Sequence, residues 1–432
     1  MPAKNARVMF WPAALLTSFG EFVDGYDLAV VGAAILYLKP AFNLTPAVVG
    51  LLSASSLLGA AIALLFFGSL TDRWGRRTIF MFNLVVFVGF AILSSLVTNV
   101  TELFVARFFI GFAVGLDIPP TTAYLAEIAP AKTRGRFSGG LPNVLWILGF
   151  ITSALIGLAL SGVGLSAWRW MFGLAAIPAA IVLIGRQFIP ESPRWLVNHG
   201  DLDGAQRASL MLGIEVPLQI ETSHKTLHRE IFSSVLRKPA LLAALVAVLN
   251  GIAAPAITYA VPYILAYGGL FSTKMSLQFS FVVYVADLLG VLASFAFMDR
   301  ISRRKWGYIS GGGSALLYGL FGLFGFGLGG LSSLLYLLAA FFVATSAVLI
   351  WTFPTELFPT RLRGTAQGFC NGAYRAIQVA IVFSIPIGIQ YVGVQYVIGL
   401  FAIPFVAQIC VFAFSRIFET QGKTLEQITA NV

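Results

Sequence analysis

A group of ionisable residues interrupts stretches that are otherwise apolar. Glu21, Asp24 and Asp27 fall within Glu-Phe-Val-Asp-Gly-Tyr-Asp, Arg107 and Asp117 share a later stretch, and Asp287 and Arg375 each stand in another. At about 100° per residue, Glu21, Asp24 and Asp27 occupy about a third of a helix circumference. Carboxylates and guanidiniums so placed handle protons and anions. No nucleophile–base set accompanies them, and no glycine-rich loop ending in Gly-Lys-Ser/Thr is present to hold ATP. Asp27 is the candidate proton carrier. An Asp in water ionises near pH ~3.9, and a carboxylate that gains and loses an arginine partner during a cycle can release and rebind its proton. Arg107 is the candidate partner; a fixed structural salt bridge is the alternative reading of the pair. Asp24 lies three residues from Asp27 and repels it when both are ionised, which suits one of them to hold a proton. Asp117 reads either as a second coupling residue or as a polar anchor between helices. Glu21 reads as a gating residue, and no role is evident for Asp287.

Arg375 points to solute recognition. Asn371, Arg375 and Gln378 follow i, i+4, i+7 spacing and so share one helix face. A guanidinium there offers a charge-assisted grip on a carboxylate or phosphate; its alternative use is to neutralise a buried carboxylate such as Asp287 or Asp117. Tyr26, Tyr259 and Trp351, among many of the 38 Phe, suggest a partly apolar binding cavity.

The elements that must position these residues are apolar. The chain has 432 residues, 58% hydrophobic and 11% charged, against roughly 25% charged in soluble domains. The apolar residues come in blocks of about 20, the length of a helix that crosses a bilayer. Twelve spans are expected, near 11–38, 47–70, 78–98, 103–126, 138–160, 169–189, 240–267, 276–297, 306–327, 331–353, 366–390 and 394–417. Each ionisable residue above would cost at least ~2.5–3.5 kcal/mol facing lipid at the bilayer centre, so the set must face itself or a wet cavity. The net charge of +10 does not indicate nucleic acid, because most Lys and Arg sit in the gaps on one side of the spans. That distribution predicts a cell-membrane protein with both termini cytoplasmic. The polar start followed by an acidic first span does not resemble a cleavable signal peptide. Cys370 and Cys410 lie in apolar blocks, and His199, His224 and His228 lack the carboxylate or thiol that would complete a metal set. Neither a metal nor a cofactor is expected.

The chain repeats itself at a nearly constant offset. Asp72-Arg73 with Arg76-Arg77 returns as Asp299-Arg300 with Arg303-Arg304. Glu127, Pro130, Arg134 and Gly135 return as Glu356, Pro359, Arg363 and Gly364, and Glu191 returns as Glu419. The expected architecture is therefore all-α: two pseudo-symmetric six-helix bundles, residues 1–189 and 240–432, joined by a cytoplasmic linker of short helices over 190–239, with the solute site between them. The repeated charges lie where the cytoplasmic ends of several spans meet. Exposed ion pairs contribute ~0–1 kcal/mol each, so a network of them is the expected gate.

These motifs carry a family resemblance. Asp72-Arg73-Trp74-Gly75-Arg76-Arg77 resembles the loop signature of the major facilitator superfamily. Pro190-Glu191-Ser192-Pro193-Arg194-Trp195-Leu196 resembles the sugar porter signature after helix six, and Phe418 to Glu426 resembles that branch's ending. The resemblance implies gating roles for Asp72, Arg73, Gly75, Arg76, Arg77, Glu127, Arg134, Glu191, Arg194, Asp299, Arg300, Arg303, Glu356, Arg363 and Glu419. It also implies the coupling pair: in proton-coupled sugar porters, an Asp of helix 1 and an Arg opening helix 4 do this work, and Gly25-Tyr26-Asp27 and Arg107 to Pro130 match those positions. Asp24-Gly25-Tyr26-Asp27 is similar to the helix 1 motif of aromatic acid:proton symporters, and Gly115 to Pro119 is similar to a segment of phosphate- and metabolite-type symporters. Trp351 occupies the helix 10 tryptophan position. The sugar porters' glutamines are missing: Phe150 stands at the helix 5 position, and Ala247 and Val248 at the helix 7 pair. Arg375 resembles the helix 11 arginine of organic-anion members.

The expectation is a monomeric, proton-coupled symporter of a small organic anion (a carboxylate, an aromatic acid or a sugar acid) working by alternating access in a lipid bilayer. A sugar or polyol porter is the alternative; a phosphate symporter and a membrane receptor without turnover are further ones. No enzymatic activity is expected.

Overall fold

The computed structural model describes residues 9–67, 70–129, 137, 140–215, 228–234, 236–256, 258–268, 271–297, 300–325, 330–358 and 362–415. The helices of the first half are α1 (Phe10–Phe42), α2 (Pro46–Phe67), α3 (Leu70–Trp74), α4 (Arg76–Leu96), α5 (Val100–Ile128), α6 (Leu141–Ala159), α7 (Ala167–Gly173) and α8 (Ala176–Arg186). Two short helices follow, α9 (Pro193–Asn198) and α10 (Leu202–Leu212). The second half holds α11 (Arg237–Ala253), α12 (Val261–Tyr267), α13 (Thr273–Phe297), α14 (Arg303–Phe324), α15 (Gly330–Leu357), α16 (Arg363–Tyr391), α17 (Val394–Leu400) and α18 (Ala402–Phe414). With α7–α8, α11–α12 and α17–α18 each forming one broken span, the described residues make twelve spans in two six-helix halves. Nine spans among the described residues are long and apolar enough to cross a bilayer.

Several expected continuous spans are broken, and proline explains where. The sixth and twelfth both pause before Ala-Ile-Pro, at Ala176-Ile177-Pro178 and Ala402-Ile403-Pro404. A proline lacks the N–H that would bond four residues back, and its ring crowds that carbonyl. The shared tripeptide thus builds the same pause into both halves. The seventh span is interrupted after Ala253 by a short 3-10 turn that carries Pro255, and resumes as α12 with Pro262 at its second position.

Within each half, α1 packs along α6, α2 along α5, α13 and α14 along α15, and α11 along α16; the halves meet where α2 lies against α16, α6 against α13 and α1 against α12. The buried apolar residues report how the two halves sit. Away from α9 and α10, one continuous core joins them, from Val30 to Leu38 of α1 through Val261 to Leu265 of α12. On the face carrying α9 and α10 the cores are separate. One gathers Ala13, Ala14, Phe80, Leu125 and Ile189 of the first half, and another Ala240, Ala247, Trp306, Leu357 and Phe412 of the second. Lys39 adds to the closed face, its Nζ lying 3.6 Å from the centre of the Tyr267 ring. The outer surface exposes Ile177, Ile181, Ile184, Leu316 and Leu323, the apolar belt a lipid-facing helix requires.

Candidate functional site

The described charges of the apolar spans turn inward. α5 carries Arg107 to Asp27 on α1. Its Nη1 donates to Asp27 Oδ1, and its Nη2 donates to Oδ2 at 2.7 Å and to the Asp27 carbonyl at 3.0 Å. Both side chains are wholly buried, and the guanidinium lies 4.8 Å from the Phe172 ring. Two parallel charge-assisted bonds in a water-poor site hold the pair firmly, and removing one partner of such a pair costs about 3–5 kcal/mol. Tyr26, beside Asp27, donates its hydroxyl to the Met171 carbonyl at 2.7 Å. Its ring is committed to the first half and is not among the described residues lining the central cavity.

Asp117 belongs to a second buried pair. Arg186, at the end of α8, donates to Asp117 Oδ1 at 2.6 Å and Oδ2 at 3.1 Å. It also ties down α1, donating to the carbonyls of Leu16 at 3.2 Å and Thr17 at 2.7 Å. Asn83 of α4 adds a bond to Oδ1 at 2.6 Å, and Thr121 one to Oδ2 at 3.3 Å. Gly20 lies over this pair, and a Cβ there would collide with both Arg186 Nη2 and Asp117 Oδ2. Asp117 thus anchors α1, α4, α5 and α8 to one another. Asp24 is buried nearby with Oδ2 unpartnered. In the second half, a neutral network joins α11, α15 and α18: Asn250 donates to Gln408 at 2.7 Å, and Gln408 to Ser346 at 3.0 Å.

A central cavity of about 830 Å³ of non-atom space, part of it continuous with solvent, lies between the halves. Glu21, Asn143 and Trp146 line it from the first half, and Tyr259, Asp287, Trp351, Asn371, Tyr374 and Arg375 from the second. Glu21 and Asn143 fall in the early parts of α1 and α6, Asn371 in the early part of α16, and Trp351 late in α15. Those ends share the face of α9 and α10, so the cavity extends toward that face. Arg375 Nη1 donates to the Tyr259 hydroxyl at 2.7 Å and to Gln378 Oε1 at 3.1 Å. The guanidinium lies 4.9 Å from the Trp146 ring of the opposite half. The structure therefore gathers Arg375, Asn371, Tyr259 and Trp351 at the cavity, with Gln378 buried behind Arg375. Asp27 and Arg107 are not among the described lining residues; they sit inside the first half.

The repeated motifs build matching networks on the α9–α10 face. Glu191 accepts the backbone N–H groups of Arg76 and Arg77, each at 3.0 Å, holding the first turn of α4 at its positive end. Gly75, at φ +89°, makes the turn, and a Cβ there would meet Glu191 Oε2 at 2.5 Å. Arg76 pairs with Glu127 at 3.0 Å, and Ser192 bonds the other Glu127 oxygen. In the second half Arg303 pairs with Glu356 at 2.9 Å. The next arginine of each motif bonds carbonyls of the span it packs against: Arg77 to Gln187 at 2.6 Å, and Arg304 to Phe412 and Ala413, each at 2.7 Å. These bonds each lie within one half. Arg73 and Arg300 are exposed and Arg194 is half-buried. Arg134, Asp299 and Glu419, and the side chains of Asp72 and Arg363, lie outside what is described.

Arg186, which the sequence does not single out, is 1% exposed inside the first half. Its place at the end of an apolar block hid it, although Asp117 needed a cation. Trp146, Asn143 and Tyr374 also went unnoticed, because nothing in an aromatic or amide side chain separates a lining residue from a packed one.

The family model described as "Sugar (and other) transporter" matches residues 13–431. The probable metabolite transport protein CsbC of Bacillus subtilis (strain 168) is 30% identical, covering 96% of this chain and 93% of its own. The arabinose-proton symporter of the same organism is 30% identical, covering 95% and 92%. Among solved structures, the partially occluded inward open conformation of the xylose transporter XylE from E. coli superimposes with a TM-score of 0.78 at 21% identity, covering 96% of this chain and 99% of that one. That likeness carries the major facilitator fold.

Proposed function

The chain belongs to the sugar (and other) transporter family, and from that premise we propose that it couples proton movement to symport of a small polyhydroxylated solute, a sugar or polyol, by alternating access. The observation that carries the proposal is the buried Asp27–Arg107 pair behind a cavity between two six-helix halves. An intact pair keeps Asp27 ionised; withdrawal of Arg107 lets a proton take its place. Proton and solute then bias one conformational equilibrium, which is what symport requires. The relatives' names, arabinose-proton symporter among them, support the sugar reading. With both termini in the cytoplasm, this conformation is inward-facing, and the Arg76–Glu127 and Arg303–Glu356 networks brace, each within its own half, the cytoplasmic ends that meet when that side closes. One observation favours a second reading, an organic anion: Arg375 lines the cavity and, among the described residues, is not engaged by a carboxylate.

Counterflow in proteoliposomes tests the transport reading. Vesicles preloaded with unlabelled D-xylose, D-glucose, myo-inositol, D-gluconate or benzoate are exposed to the labelled compound. At least one should exchange faster than in protein-free vesicles. No exchange with any of them, despite binding, would identify a receptor instead.

A further inference from the structure

The central cavity holds ionisable side chains that are nine-tenths or more buried and not joined to one another. Arg375 is 3% exposed, and among the described residues only its Nη1 makes hydrogen bonds. Glu21 is 4% exposed and Asp287 5% exposed, both lining the same cavity, and neither makes a hydrogen bond among the described residues. Glu21 comes from α1 and Arg375 from α16, so the two face each other across the seam between the halves, each within the other's field but not in contact. The other charges facing Glu21 are Asp24 on its own helix, Asp117 from α5 and Arg186 from α8. Asp117 and Arg186 already satisfy each other. Arg375 is thus the described neighbouring cation with N–H groups to spare. Beside it, Asn371 is 3% exposed and its Nδ2 has no partner.

We propose that the cavity takes a hydroxylated monocarboxylate, the chemistry of a sugar acid, with its carboxylate on Arg375, and that Glu21 is the resident counter-ion the solute displaces. This rests on the second reading of the proposed function and deepens it. In the empty carrier the Glu21 carboxylate balances Arg375 across the seam. In the loaded carrier the solute carboxylate takes that role, and Glu21 picks up one proton from solvent, forming an O–H bond that breaks again on release. The net charge of the cavity is the same in both states, so neither state leaves an extra charge to be buried when the halves close. Asn371 Nδ2 donates to the solute carboxylate, Asp287 accepts solute hydroxyls, and the Trp146 ring covers one side of the guanidinium. The Glu21 proton is additional to the one assigned to Asp27.

The test uses the purified full-length protein in weakly buffered detergent near pH 9, with D-gluconate and D-glucuronate as acidic probes and D-glucose and myo-inositol as neutral ones. Affinity is read calorimetrically, and proton uptake with an indicator dye. An acidic probe should bind the wild type with uptake of about one proton. Glu21→Gln should bind it without that uptake and about tenfold more tightly, since a like charge has been removed. Arg375→Gln should weaken the acids by about tenfold to a hundredfold. A thermal melt confirms that each variant is folded. Equal proton uptake by wild type and Glu21→Gln, or weaker acid binding by Glu21→Gln, overturns the counter-ion role. Binding of D-glucose or myo-inositol but of neither acid overturns this inference and leaves the proposed function standing; binding of no probe overturns both for sugar-derived solutes.

Discussion

In the proposed cycle Arg107 must let go of Asp27, whereas Arg186 has every reason to keep hold of Asp117. Arg107 is satisfied by one residue of α1, and its Nε is left without a partner. Arg186 is bound at once by Asp117 and by the carbonyls of Leu16 and Thr17. The two pairs have the same chemistry and opposite tasks. Arg186→Met should therefore destabilise the protein by about 3–5 kcal/mol, because it leaves Asp117 buried and unpaired; a detergent melt would show a clear drop in Tm. The double variant Arg186→Met/Asp117→Leu should recover most of the loss. Absence of recovery would show that the loss does not come from an unpaired Asp117. Arg375→Gln should weaken a confirmed acidic solute by about tenfold to a hundredfold, the range for a hydrogen bond to a charged group, and equal affinity by calorimetry would exclude the anion grip.

At the scale of the helices, the repeat explains most of what was legible beforehand. Arg76 with Glu127 and Arg303 with Glu356 were readable as matching motifs, and they form matching ion pairs. The breaks in the sixth and twelfth spans lie at the shared Ala-Ile-Pro, but an unbroken apolar block of about 20 residues masks them. The cavity was less legible still. Periodicity placed Asn371, Arg375 and Gln378 on one face, yet it could not show that Tyr26 turns to the Met171 carbonyl while Trp146 covers Arg375. Those choices depend on how separate helices cross, which no local pattern contains. Gly75 offers a test of the gate at this scale. Its φ of +89° costs another residue about 1–3 kcal/mol, and a Cβ would press on Glu191. Gly75→Ala should slow solute exchange several-fold while leaving equilibrium binding unchanged. Unaltered exchange would detach the Glu191 contact from conformational switching.

As a whole, the molecule is closed at one end and parted at the other. One apolar core joins the halves opposite α9 and α10, and separate cores lie on the α9–α10 face. Lys39 and Tyr267 mark the closed end. With Cys370 and Cys410 replaced by Ala, the pair Lys39→Cys/Tyr267→Cys should cross-link readily. The linked protein should still bind solute but show no counterflow, because it cannot open its closed end. Transport at an undiminished rate would rule out rocking of the halves about this seam.

The most direct measurement is accumulation of an identified solute by proteoliposomes under an imposed pH gradient, compared between wild type and Asp27→Asn. Wild type should concentrate the solute above equilibrium, and Asp27→Asn should exchange it without concentrating it. Accumulation by Asp27→Asn to the wild-type level would contradict the role given to the Asp27–Arg107 pair.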